Sequence, residues 1–484
     1  MEEHFDVLVV GAGISGIGAG VHLQKRCPGR SYAIFEGRER LGGTWDLFRY
    51  PGIRSDSDMY TLGFAFKPWT DPKAIADGPA ILSYLEETAD EYGVAERIRY
   101  RHMVKRASWS SEDARWTVEA EVGAGHEPVR VTCSFLYMCS GYYDYEAGYT
   151  PDFPGIERYA GRVIHPQKWT DDVVYAKQRV VVIGSGATAV TLVPELAKEA
   201  AHVTMLQRSP TYVVSRPEED SLANWLRERV PAGLAYGLTR WKNILGGMFL
   251  YNRSKKKPEK VKAFIRNQVE SQLGPDYDIE THFTPRYDPW DQRMCLVPNG
   301  DLFEAIRAGT ASVVTETIDT FTEKGIRLAS GGELEADLVV TATGLDLRFL
   351  GDVAITIDGE EIDPAQGMTY KGMMLDGVPN LAWAFGYTNA SWTLKCDLTA
   401  EYMCRLLNHM EKRGYTHCVP RNRDASIEKE AWVDFSSGYI QRSLHKMPQQ
   451  GSKAPWKLNQ NYALDLIALS YRSVEDGAMH FERA

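Results

Sequence analysis

Two glycine-rich turns, each set between a short apolar strand and a helical stretch, predict an α/β fold with two Rossmann-like dinucleotide-binding domains. A third observation adds a helical insertion to the second of them: apolar residues at helical spacing between 217 and 275. The first unit opens with the strand Phe5-Asp-Val-Leu-Val-Val10 and turns through Gly11-Ala-Gly13-Ile-Ser15-Gly16. A helix then runs to about Gln24, and a second strand, Ser31 to Phe35, ends at Glu36.

Each position has a physical role. Gly11 permits the tight turn, Gly13 lets the backbone approach a pyrophosphate, and Gly16 lets helix and strand pack closely. Free N–H groups at the helix N-terminus, beside Ser15, then face the phosphates. Glu36 stands where a carboxylate accepts hydrogen bonds from ribose hydroxyls. The second unit repeats the device. The strand Arg179 to Ile183 leads into Gly184-Ser185-Gly186-Ala187-Thr188-Ala189, then a helix to Lys198 that Pro194 interrupts. Its next strand, Ala201 to Gln207, ends in Gln207-Arg208-Ser209 instead of an acid. An acid there suits a free 2′-hydroxyl and an arginine suits a 2′-phosphate. The first unit therefore reads as a site for FAD or NAD and the second as one for NADPH. The plainer reading of Arg208 is a solvated surface arginine. Two such sites in one chain imply a flavin and a nicotinamide that exchange a hydride.

Pro151, Pro154 and Gly155 mark a linker. The expected division is a discontinuous FAD domain, 1–150 with 325–484, around an NADP domain, 151–324. The buried strand Leu338-Val-Val-Thr-Ala-Thr-Gly344 reads as a last parallel strand of a nucleotide-binding sheet, which sets the return near residue 325. In the insertion, Leu222, Trp225, Leu226, Leu234, Trp241, Ile244, Leu245, Phe249 and Leu250 recur at roughly helical spacing, ahead of Lys255-Lys256-Lys257. The expected packing is against the second domain with the lysines solvated; the other reading is an amphipathic helix anchored on a membrane surface.

Composition narrows the function. The 484 residues carry a net charge of −10, which disfavours a nucleic-acid partner. Seven cysteines, none spaced as CxxC, exclude a disulfide scaffold or zinc finger, and no metal-ligand cluster is read. The N-terminus runs straight into a strand without the basic region of a secretory signal, and no run of about 18 apolar residues indicates a membrane span. The expectation is a cytoplasmic protein with no obligate protein partner, peripheral membrane contact remaining open. A disulfide oxidoreductase needs a cysteine pair beside its flavin, and residues 41–60 contain no cysteine.

Residues 42–56 read instead Gly42-Gly43-Thr44-Trp45-Asp46-Leu-Phe48-Arg-Tyr50-Pro51-Gly52-Ile-Arg54-Ser55-Asp56. This fits GGxWxxxx[FY]PGxxxD, a pattern typical of Baeyer–Villiger monooxygenases, the class B flavoprotein monooxygenases. The linker carries Tyr159-Ala-Gly161-Arg-Val-Ile-His165-Pro-Gln-Lys-Trp169-Thr170, close to that family's FxGxxxHxxxW[PD]. Tyr159 replaces Phe, and Thr170 replaces Pro or Asp. The chain resembles the family over essentially its whole length, on the bacterial branch that includes the mycobacterial ethionamide-activating monooxygenase. Segments 48–64, 181–194, 289–303 and 386–395 carry that likeness.

The resemblance implies FAD and NADPH as cofactors, dioxygen and a small ketone or sulfide as substrates, and a flavin C4a-peroxide that attacks the ketone to give an ester or lactone. It implies that Arg293 is the cation at the flavin face and Asp56 the acid that orients it. It adds Gly43, Thr44, Trp45, Asp46, Arg54, Ser55, Asp56 and Val104 to the cofactor-binding residues. His165 and Trp169 become residues coupling domain movement to the cofactor. Many members carry Lys before the arginine; here it is Gln292, which leaves Arg208 and Ser209 to select NADPH. Two rivals remain: a heteroatom oxygenase acting on sulfur or nitrogen, which can coexist as a side activity on sulfides or thioamides, and a non-oxygenating NADPH–flavin reductase. Trp392 and Tyr60 hint at an apolar pocket, although such residues are more often core.

Overall fold

A computed structural model describes residues 2–433 and 436–483. The run Val7 to Val10 is buried because β1 (Glu3–Val10) lies inside a sheet, with a parallel neighbour on each side. On one side come β2 (Tyr32–Phe35) and β3 (Ile98–Arg99). On the other, a meander of β4 (His102–Ser110), β5 (Arg115–Val122) and β6 (Glu127–Met138) brings β6 back parallel to β1. The last third of the chain completes this sheet. Ala354–Ile357 adds beside β4, and Leu381–Trp383 adds beside the end of β6. The helix Trp392–Arg413 packs along the first-turn helix Ile14–Arg26.

Two crossings leave and re-enter this body, and they pair with each other: β7 (Tyr143–Gly148) is antiparallel to Leu345–Leu347. Beyond them β8 (Arg162–Ile164), β9 (Arg179–Ile183) and β10 (His202–Gln207) belong to a second sheet. Its order is Ala311–Thr315, β10, β9, Leu338–Thr341, β8, all parallel. Leu338–Thr341 is thus a parallel strand of the second sheet, not the first. The first sheet regains the chain at Ala354, so the return expected near residue 325 moves past Gly344. An unbroken apolar run shows that a strand is covered on both faces; it does not say by which sheet.

Residues 217–275 hold three helices, Ser221–Arg227, Ala232–Lys256 and Pro258–Leu273. The expected packing holds for the third, whose Val261, Ile265 and Val269 join the second core. The long helix differs. Its Tyr236 packs with Met59, Tyr60 and Phe64 of the first core, and Arg240 donates to the carbonyls of Tyr60 (2.8 Å) and Gly63 (2.7 Å). Both sides of this helix are apolar, so periodicity alone does not name the buried one.

The motif segment 42–56 bridges the two bodies. Phe48 and Tyr50 leave the first body and bury in the second core beside Val190 and Val193. The Pro51-Gly52 turn lies on the helix Ala187–Leu196, where a Cβ at Gly52 would come within 3.0 Å of the Glu195 side chain. Two aromatic anchors and a tight turn thus hold Arg54 to Asp56 at the boundary.

Candidate active site

Both glycine turns open into one cavity of about 950 Å³. Gly13, Ser15, Gly43, Thr44 and Trp45 line one side; Gly184 to Thr188, Arg208 and Ser209 line the other. The backbone shows why glycine stands at the turns. Gly11 has φ +103° and Gly184 φ +138°, and a Cβ would lie 2.5 Å from the Cys139 oxygen or 2.3 Å from that of Ala342. A Cβ at Gly16 would strike the Gly11 oxygen at 1.8 Å. The two helices that follow, Ile14–Arg26 and Ala187–Leu196, have no side-chain cap and no acid in the first turn. Their N–H groups face the cavity unshielded, an arrangement that suits a bound pyrophosphate at each turn. The residues present therefore fit two dinucleotides, a flavin and a nicotinamide.

Glu36 ends β2 and is buried, accepting from the backbone N–H of Ala12 (2.7 Å) and of Arg38 (2.9 Å). Burial raises its pKa, and the two N–H donors partly offset the rise. Arg208, at the corresponding end of β10, is exposed beside the cavity and has no ion-pair partner among the described residues. Ser185 Oγ donates to the Ser209 carbonyl at 3.2 Å and shapes that corner.

Arg293 and Asp56 form a two-pronged ion pair on the cavity wall. Nε lies 2.7 Å from Oδ2, and Nη2 donates to Oδ1 at 2.9 Å. The fork leaves one face of the guanidinium toward the cavity, and the Arg293 side chain stays 38% exposed. The Asp56 charge holds Arg293 well above its ordinary pKa, against the desolvation that would lower it. Arg293 is a permanent cation there. Around it stands an aromatic wall: Tyr142 stacks on Trp392 (centroids 4.9 Å), and Phe385 meets Trp392 and Trp432. Burial pushes the Tyr142 and Tyr143 phenols up, and the two hydroxyls share a 2.8 Å hydrogen bond. Trp392 Nε1 donates to Ser15 Oγ at 2.8 Å.

His165 sits against the paired crossings. Its Nε2 donates to the Gly344 carbonyl (3.0 Å), and its Nδ1 accepts from the Gln167 N–H (3.2 Å). Those two bonds select one neutral tautomer, and burial lowers the pKa. Gly148 presses on the ring; a Cβ there would lie 2.0 Å from Cε1.

Some expected residues lie off the cavity wall. Asp46 is buried with its carboxylate taken by Arg38 and Arg49, each at 2.7 Å, so it braces the turn and does not reach the cavity. Val104 is core on β4, and Trp169 packs in the second core beside Tyr175. Tyr60 is core as well, whereas Trp392 lines the cavity. Gly11, Gly16 and Ala189 lie behind the turns as packing positions. Arg54 lines the wall but is paired with Asp301, and the Ser55 hydroxyl is engaged with the Ser57 carbonyl.

Sequence reasoning missed two groups. The tyrosines Tyr142, Tyr143 and Tyr145 follow the C-terminal end of β6, where α/β sheets place ligands, and their clustering was the available signal. Arg442 stacks its guanidinium 3.5 Å from the Tyr149 ring centroid, with Nε and Nη2 buried and lacking hydrogen-bond partners among the described residues. Nothing in its local sequence marks it.

Comparison with known proteins agrees with this geometry. Residues 68–371 match the flavin-binding monooxygenase-like family, and residues 9–71 match an NAD(P)-binding Rossmann-like domain. The FAD-containing monooxygenase EthA of Mycobacterium tuberculosis is 52% identical over 485 residues, spanning 100% of this chain and 99% of that protein. The chain belongs to the flavin-binding monooxygenase family. This monooxygenase is also 48% identical to the probable FAD-binding monooxygenase AlmA of Acinetobacter baylyi, over 100% of this chain and 97% of that one. Its fold is shared with a steroid monooxygenase solved with NADP, at TM-score 0.80 and 23% identity, over 99% of this chain and 100% of that one. The α/β architecture with two dinucleotide-binding domains is therefore that of flavin monooxygenases.

Proposed function

We propose that this monooxygenase uses NADPH, dioxygen and bound FAD to convert ketones to esters or lactones, with sulfides or thioamides as side substrates. The observation that carries the reading is the Arg293–Asp56 fork on the wall of a cavity that both glycine turns share. When bound, the nicotinamide supplies a hydride and the flavin carries it and activates dioxygen. The chain's own residues do the rest. The turns at Gly11–Gly16 and Gly184–Ala189 hold the two pyrophosphates, Glu36 holds a ribose, and Arg208 with Ser209 holds the 2′-phosphate. Thr44 and Trp45 border the flavin side.

Arg293 offers fixed positive charge where an oxygen becomes negative as a ketone carbonyl is attacked. That charge favours an anionic, nucleophilic oxygen over a protonated, electrophilic one, so the ketone reading stands ahead of heteroatom oxygenation. Asp56 keeps the guanidinium in place, which makes it a positioning residue. The aromatic wall of Tyr142, Phe385 and Trp392 supplies an apolar seat and excludes water. His165, held between Gly344 and Gln167 against the crossings, ties the second sheet to the segments that join it to the first, a place suited to coupling cofactor movement with chemistry. Trp169 supports that region from the core.

Product analysis tests this. Holoenzyme with NADPH, air, a ketone panel and a sulfide is expected to yield esters. Arg293→Ala is expected to lower ester formation on the order of 10²–10³-fold while still accepting hydride from NADPH. Near-normal ester formation by that variant, or oxidation of the sulfide alone, would overturn the proposal.

A further inference from the structure

The long helix Ala232–Lys256 carries apolar residues on two opposite sides. One side, with Tyr236, Arg240 and Ile244, is buried. The other presents Leu234, Leu238, Trp241, Leu245 and Phe249 to solvent, from 44% exposed at Trp241 to 68% at Phe249. Their spacing of three and four residues forms one stripe along the helix. A second stripe continues it. Leu464, Ile467 and Tyr471 are exposed on the segment Tyr462–Tyr471, and Tyr462 meets Trp241 with ring centroids 5.8 Å apart. Scattered apolar residues on a surface are ordinary; a continuous stripe marks an interaction site.

Charge says what covers it. The chain has a net charge of −10, yet residues 225–262 carry ten lysines and arginines against two glutamates. The long helix itself has five basic residues and no acid. Arg253, Lys256, Lys257 and Lys260 are exposed at its C-terminal end, with no ion-pair partner among the described residues. Lys256 shares the angular position of the apolar stripe, where its stem can lie along an apolar layer and its ammonium reach a phosphate. Two copies meeting through this face would set like charge against like. No helix among the described residues is long and apolar enough to cross a membrane.

We infer that the helix Ala232–Lys256 seats this protein on the surface of an anionic lipid bilayer, the apolar stripe entering the interface and the lysines contacting phosphate headgroups. The inference rests on this surface alone and not on the catalytic reading. It has a spatial consequence: Ile244 on the buried side packs with Tyr387, which lines the cavity, so the docked face lies about one helix diameter, ~10 Å, from the cavity wall.

The test is co-sedimentation of the holoenzyme with vesicles of phosphatidylcholine alone and of equal parts phosphatidylcholine and phosphatidylglycerol. Two double variants accompany it, Leu245→Glu with Phe249→Glu and Lys256→Glu with Lys257→Glu. All four positions are exposed and outside the cavity, so flavin content and NADPH oxidation in buffer are expected to be unchanged. Wild-type protein is expected to pellet with the anionic vesicles, more weakly at high salt and on phosphatidylcholine, and each double variant is expected to weaken binding about tenfold or more. Three outcomes would overturn the inference: no pelleting above the vesicle-free control, pelleting that neither variant alters, or vesicle-free self-association that the apolar variant abolishes, which would make the face a contact between copies.

Discussion

Replacing Asp56 with Asn separates a positioning role from a scaffolding one. Asp56 accepts two charge-assisted hydrogen bonds from Arg293, at 2.7 and 2.9 Å. Bonds to charged groups are worth about 1.5–3 kcal/mol each in mutational series. Here the two side chains are 38% and 27% exposed, so water takes over part of what is lost. The amide also keeps one acceptor oxygen. The net stability loss is therefore about 1–2 kcal/mol, well within what a folded, flavin-loaded protein tolerates. Catalysis should lose more. With one prong gone the guanidinium can swing by about 1 Å, and a misplacement of that size costs on the order of 10²-fold. The assay measures ester formed per bound flavin beside thermal unfolding followed by flavin release. The expected result is a roughly hundredfold drop in turnover with a small shift in unfolding. Turnover per flavin within a few-fold of wild type would refute the reasoning and leave the pair as a brace between the two bodies.

Three further expectations follow from the same geometry. Arg208→Gln should raise the KM for NADPH about 10–100-fold and leave NADH nearly unchanged, since one charge-assisted phosphate contact is lost; equal effects on both would place 2′-phosphate recognition elsewhere. Gly148→Ala puts a carbon 2.0 Å from the His165 ring, so it should displace the ring from Gly344 and slow NADPH-driven turnover with flavin content kept, and unchanged kinetics would remove His165 from the coupling. Burial depresses the His165 pKa in the fold, so its contribution to stability is complete above the unfolded value of about 6.5 and is lost as pH falls through the lower folded value. Unfolding temperatures recorded from about pH 5 to 8 should therefore show a steeper acid loss for wild type than for His165→Gln, and parallel curves would contradict the assignment.

How much of this was legible in the sequence depends on the range of each contact. The glycine turns and the ends of β2 and β10 are local, so Gly11, Gly184, Glu36 and Arg208 could be placed from spacing and backbone chemistry alone. Asp56 and Arg293 stand 237 residues apart, and only the family motif brought them together before the fold did. Asp46 has the composition of a ligand, but three neighbouring arginines claim its carboxylate. The strand Leu338–Thr341 has the same apolar signature in either sheet. The helix Ala232–Lys256 has two apolar sides, and only tertiary contacts show which one is buried. Arg442 gained its place through a stack on Tyr149, 293 residues away by chain number, and through burial without a partner, neither of which leaves a local trace.

Oxygen transfer to a ketone, and not mere electron transfer, is the role proposed for the Arg293 cavity. The most direct measurement reduces the yellow protein with NADPH without oxygen, mixes it with oxygenated buffer in a stopped-flow instrument, and records the flavin spectrum with and without a ketone. The expected result is a transient absorbance distinct from reduced and oxidised flavin, which decays faster as ketone is added while ester accumulates. A direct return to oxidised flavin, unaffected by ketone and without ester, would contradict it.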